Sequence, residues 1–455
     1  MGMSRAPFEA SEHSPITTVP LYRKLRPRPH GPGKDEVERN QRARLCGATI
    51  EAVAARGYEA TSVAELSRLA GVSKRTFYEQ FDNKEACFLA THETIVRRAI
   101  VRVASAQREE QDWEAGMRRA FEEFVRAAIE RPKVARLVLV DALVAGPAAL
   151  AQTDRARRKF EQMVVSGFER APHGVGLPLT VARGIVYGVE HVVRRSVLGG
   201  ETGESSDLAG ELAQWALAHG SEAIAELSPP APAPRDRARR WPRMRARADD
   251  ERGRILRAAA EIAANEGHAH ISPLEIVDRA GVSERAFNAC YESAEECLLD
   301  ALDMVGLEAL ISAAAASRAA GDGPRGAYCG IAALLDRIAE DPVLLGAILV
   351  DALPEGAATL ERRERMLQRY VDLLASRLPH RLRPPGVLAQ ATVGALWGLI
   401  RHYVAASAPH VLSELAGQAA YVALAPVVGS ESAVRAIDEE ERALRSGDES
   451  GGVAA

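Results

Sequence analysis

The sequence predicts an all-α protein built from two tandem copies of one helical module. Three observations lead there. Ala, Leu, Arg and Glu dominate the long stretches, and these are strong helix formers. Apolar residues recur at helical spacing, as Leu45, Ala48, Ala52 and Val53 do on one face. The chain also repeats itself. Gly71-Val72-Ser73 returns as Gly281-Val282-Ser283, a constant shift of 210 residues (71 to 281). The same shift relates Gly57 to Gly267, Arg75 to Arg285, Phe77 to Phe287 and Cys87 to Cys297. It carries Leu139-Val140-Asp141-Ala142-Leu143 onto Leu349-Val350-Asp351-Ala352-Leu353, and Gly184 and Gly188 onto Gly394 and Gly398. Only near Leu208 and Leu415 does it fall to 207 (208 to 415). Chance likeness between helices would not hold one register so far.

Composition bounds the function. Among 455 residues, 58 Lys and Arg stand against 62 Asp and Glu, for a net charge of -4. Any nucleic-acid-binding charge must therefore be local. The five cysteines, Cys46, Cys87, Cys290, Cys297 and Cys329, show no zinc-type spacing and read as buried thiols of a cytoplasmic protein; a thiol redox sensor is the alternative. No secretory signal and no membrane-length apolar run is evident. Metal ligands are not expected, since His191 and His402 stand alone.

Taken in order, residues 1–34 read as a flexible basic arm and residues 35–90 as a three-helix domain. Helix one ends at Gly57, a plausible C-terminal stop. Ser62-Val63-Ala64-Glu65 forms a capping-box pattern that starts helix two, which runs through Ala70. Gly71 suits a tight turn, and Ser73 can cap a third helix from Lys74 to Phe81. Leu66, Leu69, Val72, Phe77 and Phe81 are spaced to lock the two short helices together. Asp82-Asn83-Lys84-Glu85 reads as a further capping box opening helix four. Two short helices joined by Ala-Gly-Val-Ser make a helix-turn-helix. Its second helix exposes Lys74, Arg75, Thr76 and Tyr78. Lys and Arg donate to guanine edges, and a Thr methyl can touch thymine. Ser62, Ser73, Tyr78 and Lys84 join the candidate DNA-binding set, the last three as phosphate contacts.

The stretch from Thr61 to Leu66 and on from Gly71 through Glu85 resembles the DNA-binding signature of the TetR family of regulators. The glycine turn, Tyr78 followed by Phe81, and Lys84-Glu85 carry the likeness. The resemblance implies three DNA-binding helices followed by a larger helical domain that binds a small effector and dimerises. The rest of each module resembles the family only in helical character and length. Residues 91–227 are accordingly expected to form a helical regulatory and dimerisation domain.

Residues 228–249 are rich in Pro and Arg and read as an extended linker. Residues 250–300 form a second, degenerate helix-turn-helix, residues 301–430 a second regulatory domain, and residues 431–455 a tail that starts helical and reads as disordered from Ser446 to Gly452. In the second copy Lys74 becomes Glu284, Thr76 becomes Ala286, Tyr78 becomes Asn288 and Lys84 becomes Ala294. Residues 73–85 hold three cations against three acids; residues 283–295 hold only Arg285 against Glu284, Glu292 and Glu295. An acid facing phosphates is repulsive, so Ser283 and Arg285 mark at most a weak second DNA site.

Arg23, Lys24, Arg26 and Arg28 precede the first module, and seven arginines from Arg235 to Arg247 precede the second. They read as solvated linkers or as arms for backbone and minor-groove contacts. Gly184 and Gly188, like Gly394 and Gly398, lie four apart on one helix face and permit close helix approach. They allow the two modules to pair as a one-chain pseudo-dimer, two chains to pair as a homodimer, or packing inside each module. A linker of about 20 residues spans up to roughly 65 Å, enough for the first. Asp141 and Asp351 read as helix-packing or surface acids, with a buried ligand-facing carboxylate as the alternative, and Trp215 and Trp397 as core. The leading expectation is a DNA-binding regulator, a ligand-responsive repressor of double-stranded DNA targets without a resident cofactor. The alternative is a helical sensor or interaction module without operator binding. No phosphate loop, nucleophile elbow or H-E-x-x-H motif suggests an enzyme.

Overall fold

The computed structural model describes residues 33–172, 176–199, 205–220, 222–227, 250–266, 271–341, 357–377, 386–406 and 408–451. All regular structure among them is helical. The basic arm ahead of Gly33, the Pro/Arg linker, Gly267 and Asp351 lie outside the described residues. The chain divides into two compact units at residues 94 and 95.

The first unit contains α1 (Lys34–Arg56), α2 (Val63–Ala70), α3 (Lys74–Gln80) and the start of α4 (Lys84–Glu109). Leu45, Ala48 and Ala52 of α1 pack with Leu66, Ala70, Phe77, Phe81 and Cys87 into a small core. The expected apolar face of α1 is thus the buried one. Leu69 departs from expectation: it is 38% exposed. On a helix of only eight residues, Leu66 and Ala70 already fill the buried stripe.

The second unit continues with α5 (Trp113–Ile129), α6 (Pro132–Leu139), a short 3-10 turn (Asp141–Leu143), α7 (Pro147–Phe168), α8 (Leu179–Gly199) and α9 (Ser205–Leu217). It then holds α10 (Glu251–Glu266), α11 (Pro273–Ala280), α12 (Glu284–Cys290), α13 (Ala294–Ala320) and α14 (Pro324–Glu340). Five further helices close it: α15 (Ala357–Arg377), α16 (Gly386–Ala405), α17 (His410–Glu414), α18 (Ala416–Val428) and α19 (Ser430–Gly451). The order of α10–α13 repeats that of α1–α4, and α11, α12 and α13 match α2, α3 and α4 in length to within one residue. One hydrophobic core runs from Met117 and Phe121 through Ile185 and Trp215 to Tyr421 and Ile437. Regions on both sides of residues 228–249 therefore share it.

The central packing is α8 against α16. A side chain placed at Gly394 would run into His191, and one at Gly398 into Tyr187. Numbers rise along one helix as they fall along the other, so the helices run antiparallel. Trp215 of α9 donates from Nε1 to Thr392 Oγ1 at 3.4 Å, and Tyr421 of α18 donates to the His219 carbonyl at 2.8 Å.

Three expectations change. α19 stays helical to Gly451, where the composition of Ser446–Gly452 predicts disorder. Ala433, Val434 and Ile437 are buried against the core, and that burial supports a helix the composition alone would not. Asp141 is not a surface acid: it is 3% exposed, with Arg136 Nε 3.6 Å away. The cysteines divide. Burial pushes the Cys87 and Cys297 thiols up to about 12 and Cys329 to about 11, whereas Cys46 is half-buried and Cys290 exposed. No single helix among the described residues is long and apolar enough to cross a membrane.

Candidate nucleic-acid interface

The turn between α2 and α3 is fixed by local chemistry. Gly71 adopts φ 61°, ψ 42°, the left-handed region that costs a residue with Cβ about 1 kcal/mol or more. Ser73 Oγ accepts from the Thr76 amide at 3.0 Å, and the Ser73 and Thr76 hydroxyls lie 2.9 Å apart. Phe77 is fully buried and anchors α3 from below. With Phe77 facing in, residues before and after it face out. Ser73, Lys74, Arg75 and Tyr78 are exposed, Tyr78 by 57%, while Thr76 is half-buried. The Tyr78 ring packs edge-on against Phe77 with centroids 5.5 Å apart, which orients its hydroxyl without hiding it.

Arg75 Nε pairs with Glu79 at 3.1 Å. Both groups are largely exposed, so water and salt screen the pair and Arg75 can exchange Glu79 for another acceptor at small expense. Ser62, also exposed, is the N-cap of α2 and accepts from the Glu65 amide at 3.3 Å. The reciprocal half of the expected capping box is missing, because the Glu65 carboxylate turns to Arg56. At α4 the cap is Asn83, whose Oδ1 accepts from the Ala86 amide at 2.8 Å. The expected Asp82–Glu85 box does not form there.

Lys84 has a different place from the other candidates. Its ammonium donates to the carbonyls of Tyr58 at 2.9 Å and Glu59 at 3.2 Å, and lies 4.3 Å from the Tyr58 ring centroid. It clamps the loop after α1 to the start of α4. Two more cations do similar work that sequence reading missed. Arg44, 8% exposed, donates to the Gly71 carbonyl at 2.7 Å and to that of Ala70, satisfying orphan acceptors at the end of α2. Arg42 donates to the Gln80 carbonyl at 2.9 Å and stacks 4.2 Å over Phe81, closing the end of α3. A pair of arginines on the first helix was the only sequence signal, and their acceptors lie far along the chain.

The turn between α11 and α12 has the same local geometry as the turn between α2 and α3. Gly281 has φ 62°, Ser283 Oγ accepts from the Ala286 amide at 3.2 Å, and Phe287 is buried. A reciprocal capping box is complete at Ser272 and Glu275. Exposed on α12 and at its cap are Ser283, Glu284, Arg285 and Asn288. Where Arg42 stacks on Phe81, Arg252 donates to the Tyr291 hydroxyl at 3.1 Å and to Asp300 at 2.9 Å. Arg362 of α15 joins Asp300 at 2.7 Å and Asp303 at 2.9 Å. These bonds tie α10, α12 and α13 to α15.

Residues 45–91 match the family model described as bacterial regulatory proteins, tetR family. No curated protein matches the chain. The solved structures it is similar to include the fatty acid degradation regulator FadR from Bacillus halodurans, at 17% identity, TM-score 0.36, over 38% of this chain and 96% of that one. A TetR family transcription regulator from Marinobacter aquaeolei VT8 aligns at 25% identity, TM-score 0.32, over 38% of this chain and 93% of that one. A TetR-like transcriptional regulator from Rhodococcus sp. RHA1 aligns at 21% identity, TM-score 0.34, over 39% and 96%. The region around α2 and α3 is thus a tetR-type helix-turn-helix, a DNA-binding element of transcription regulators.

Proposed function

We propose that this chain is a repressor released by a small-molecule effector, with α3 entering the major groove of its operator. One observation carries the reading. Lys74, Arg75 and Tyr78 stand exposed on a short helix held by a buried Phe77, a capped Ser73 and a left-handed Gly71. In this reading Lys74 and Arg75 donate to base edges, and Ser62, Ser73, Thr76 and Tyr78 place the helix by sugar-phosphate and methyl contacts. Lys84 holds the first helix-turn-helix together and contributes charge rather than a direct contact.

The second helix-turn-helix serves as a weak or silent partner. Glu284 replaces Lys74 and Asn288 replaces Tyr78 on an equally exposed surface, and Arg285 is the one cation among the four exposed side chains from Ser283 to Asn288. The antiparallel packing of α8 on α16 favours a one-chain pseudo-dimer over a homodimer through these helices, since both glycine faces already have partners. Effector binding that favours one spacing of the reading heads would shift the DNA affinity by the same coupling energy.

Footprinting the full chain on the DNA upstream of its own gene tests the proposal. The expected result is a protected site with one strongly contacted half, and affinity that falls steeply with salt. Absence of sequence-specific protection at any salt would favour the helical interaction module instead. Light scattering should give one chain per particle before DNA is added.

A further inference from the structure

We infer that the seam between α8 and α16 is a binding site for a small oxyanion, either phosphate or the carboxylate of a small organic acid. Gly188, Gly394 and Gly398 let the two helices approach until Gly188 faces the Ala391 carbonyl. That approach brings together polar side chains from both halves of the chain. Arg157, Glu190, His191 and Arg194 from one side and Arg363 and Arg401 from the other line a narrow cavity.

Among the described lining residues four guanidinium groups stand against one carboxylate, Glu190, and three of them, Arg157, Arg194 and Arg363, have partners of their own. Glu190 is fully engaged, accepting from Arg157 Nε at 2.6 Å and Nη2 at 2.7 Å. Behind the lining, Glu364 accepts from Arg194 at 3.1 Å, and Asp154 from Arg157 at 2.7 Å on its outer side. Arg401 forms no ion pair with a described carboxylate, and its guanidinium lies 5.9 Å from the Tyr187 ring centroid. Burial, and then the charge of Arg157, works against its protonated form.

His191 supplies a second, independent pointer. It is 2% exposed, and its Nδ1 lies 3.0 Å from Arg194 Nη2. A guanidinium can only donate, so Nδ1 accepts and the imidazole proton sits on Nε2. Burial first, then Arg194, holds the ring pKa down at about 3, so the imidazole is neutral. Nε2 is buried and has no hydrogen-bond partner among the described residues. A buried N–H donor in the same cavity as a guanidinium that has no ion-pair partner among the described residues, and that Glu190 and Asp154 offset only in part, calls for an acceptor that carries negative charge. Water would satisfy the donor and leave the charge. An oxyanion satisfies both, with Arg401 and His191 as its donors and Arg363 adding field.

The experiment is titration calorimetry and thermal melting of the full chain with inorganic phosphate, and separately with succinate, against sodium chloride of equal ionic strength. The expected result is saturable binding of one anion per chain and a rise in melting temperature beyond that in chloride. Phosphate alone, or succinate alone, would identify the source of the oxyanion. Arg401→Gln should weaken binding about 10- to 100-fold, the span of one charge-assisted hydrogen bond. Arg325→Gln, at an exposed guanidinium paired with Glu440 away from the cavity lining, should leave it unchanged. Because no described carboxylate forms an ion pair with Arg401, Arg401→Gln should melt in chloride no lower than the parent. Lack of any effect beyond chloride, undiminished binding by Arg401→Gln, or a lower melting point of that variant in chloride would each overturn the inference. None of these readouts depends on DNA, so the site stands or falls apart from the proposed regulator function.

Discussion

Gly188→Ala should destabilise the protein, although alanine is the better helix former. A Cβ at residue 188 would sit 2.6 Å from the Ala391 carbonyl oxygen and 2.5 Å from the Trp215 ring. The oxygen belongs to the α16 backbone, so it cannot rotate away. To reach the 3.4 Å of ordinary contact, the helices must part by about 0.8 Å along the whole seam. Gaps of 0.5–1 Å forfeit roughly a quarter to a half of each dispersion contact. Overpacking of this kind costs about 1–3 kcal/mol, and the upper end applies where backbone must move. Alanine returns up to about 1 kcal/mol in helix propensity, leaving about 2 kcal/mol net loss. Gly210→Ala is the matched control: it lies in α9 with nothing within 4 Å of where the methyl would stand, so only the propensity gain of up to about 1 kcal/mol applies. Differential scanning calorimetry of both variants reads the comparison. At roughly 2 °C per kcal/mol, Gly188→Ala should melt about 4 °C lower and Gly210→Ala up to about 2 °C higher. Equal shifts of the same sign would refute the argument that close approach, and not helix propensity, selects glycine at the seam.

Four other outcomes are expected. Arg75→Ala and Tyr78→Phe should each weaken operator binding in a fluorescence-anisotropy titration, by about 5- to 100-fold and about 5-fold, while Arg285→Ala changes it less than about 2-fold by the same scale. Glu190→Gln should lower stability by up to about 3–5 kcal/mol in urea unfolding, because the buried Arg157 then keeps only the outer carboxylate of Asp154. Asp141→Asn should raise stability near pH 7.5 by about 2–3 kcal/mol. Burial lifts the Asp141 carboxyl to about 6, Arg136 opposing only in part, so the folded state holds its proton longer than the unfolded state. Stability is therefore lost as pH rises from about 4 through 6, and the parent and variant should converge near pH 3.5. Cys290 should react with a maleimide in the native protein, and Cys87, Cys297 and Cys329 only after unfolding, as mass spectrometry would show.

Much of the first helix-turn-helix is legible in the sequence because its determinants are local. Ser62, Gly71, Ser73 and Phe77 act within a few residues of themselves, through caps, a left-handed turn and one buried ring. The exposed set of Lys74, Arg75 and Tyr78 follows from where Phe77 must point. By type and position Lys84 reads as a phosphate contact, yet its ammonium serves two carbonyls near the end of α1. Arg42 and Arg44 escape a linear reading for the same reason: their partners are backbone carbonyls near 70 and 80, which sequence order does not bring near. The capping boxes at Glu65 and Glu85 fail where a competing cation or a better cap stands close in space.

The sequence alone determined the helical class, the repeated register, the first helix-turn-helix and the exchange of Lys74 for Glu284, because spacing, turn chemistry and residue type are properties of neighbours along the chain. The glycine pairs 184/188 and 394/398 announced close helix contact without naming the partner. Only the tertiary structure decided that α8 meets α16, and that Arg157, His191 and Arg194 share one cavity with Arg363 and Arg401. That choice depends on burying apolar faces hundreds of residues apart in a common core, a sum over the whole fold that no local pattern contains.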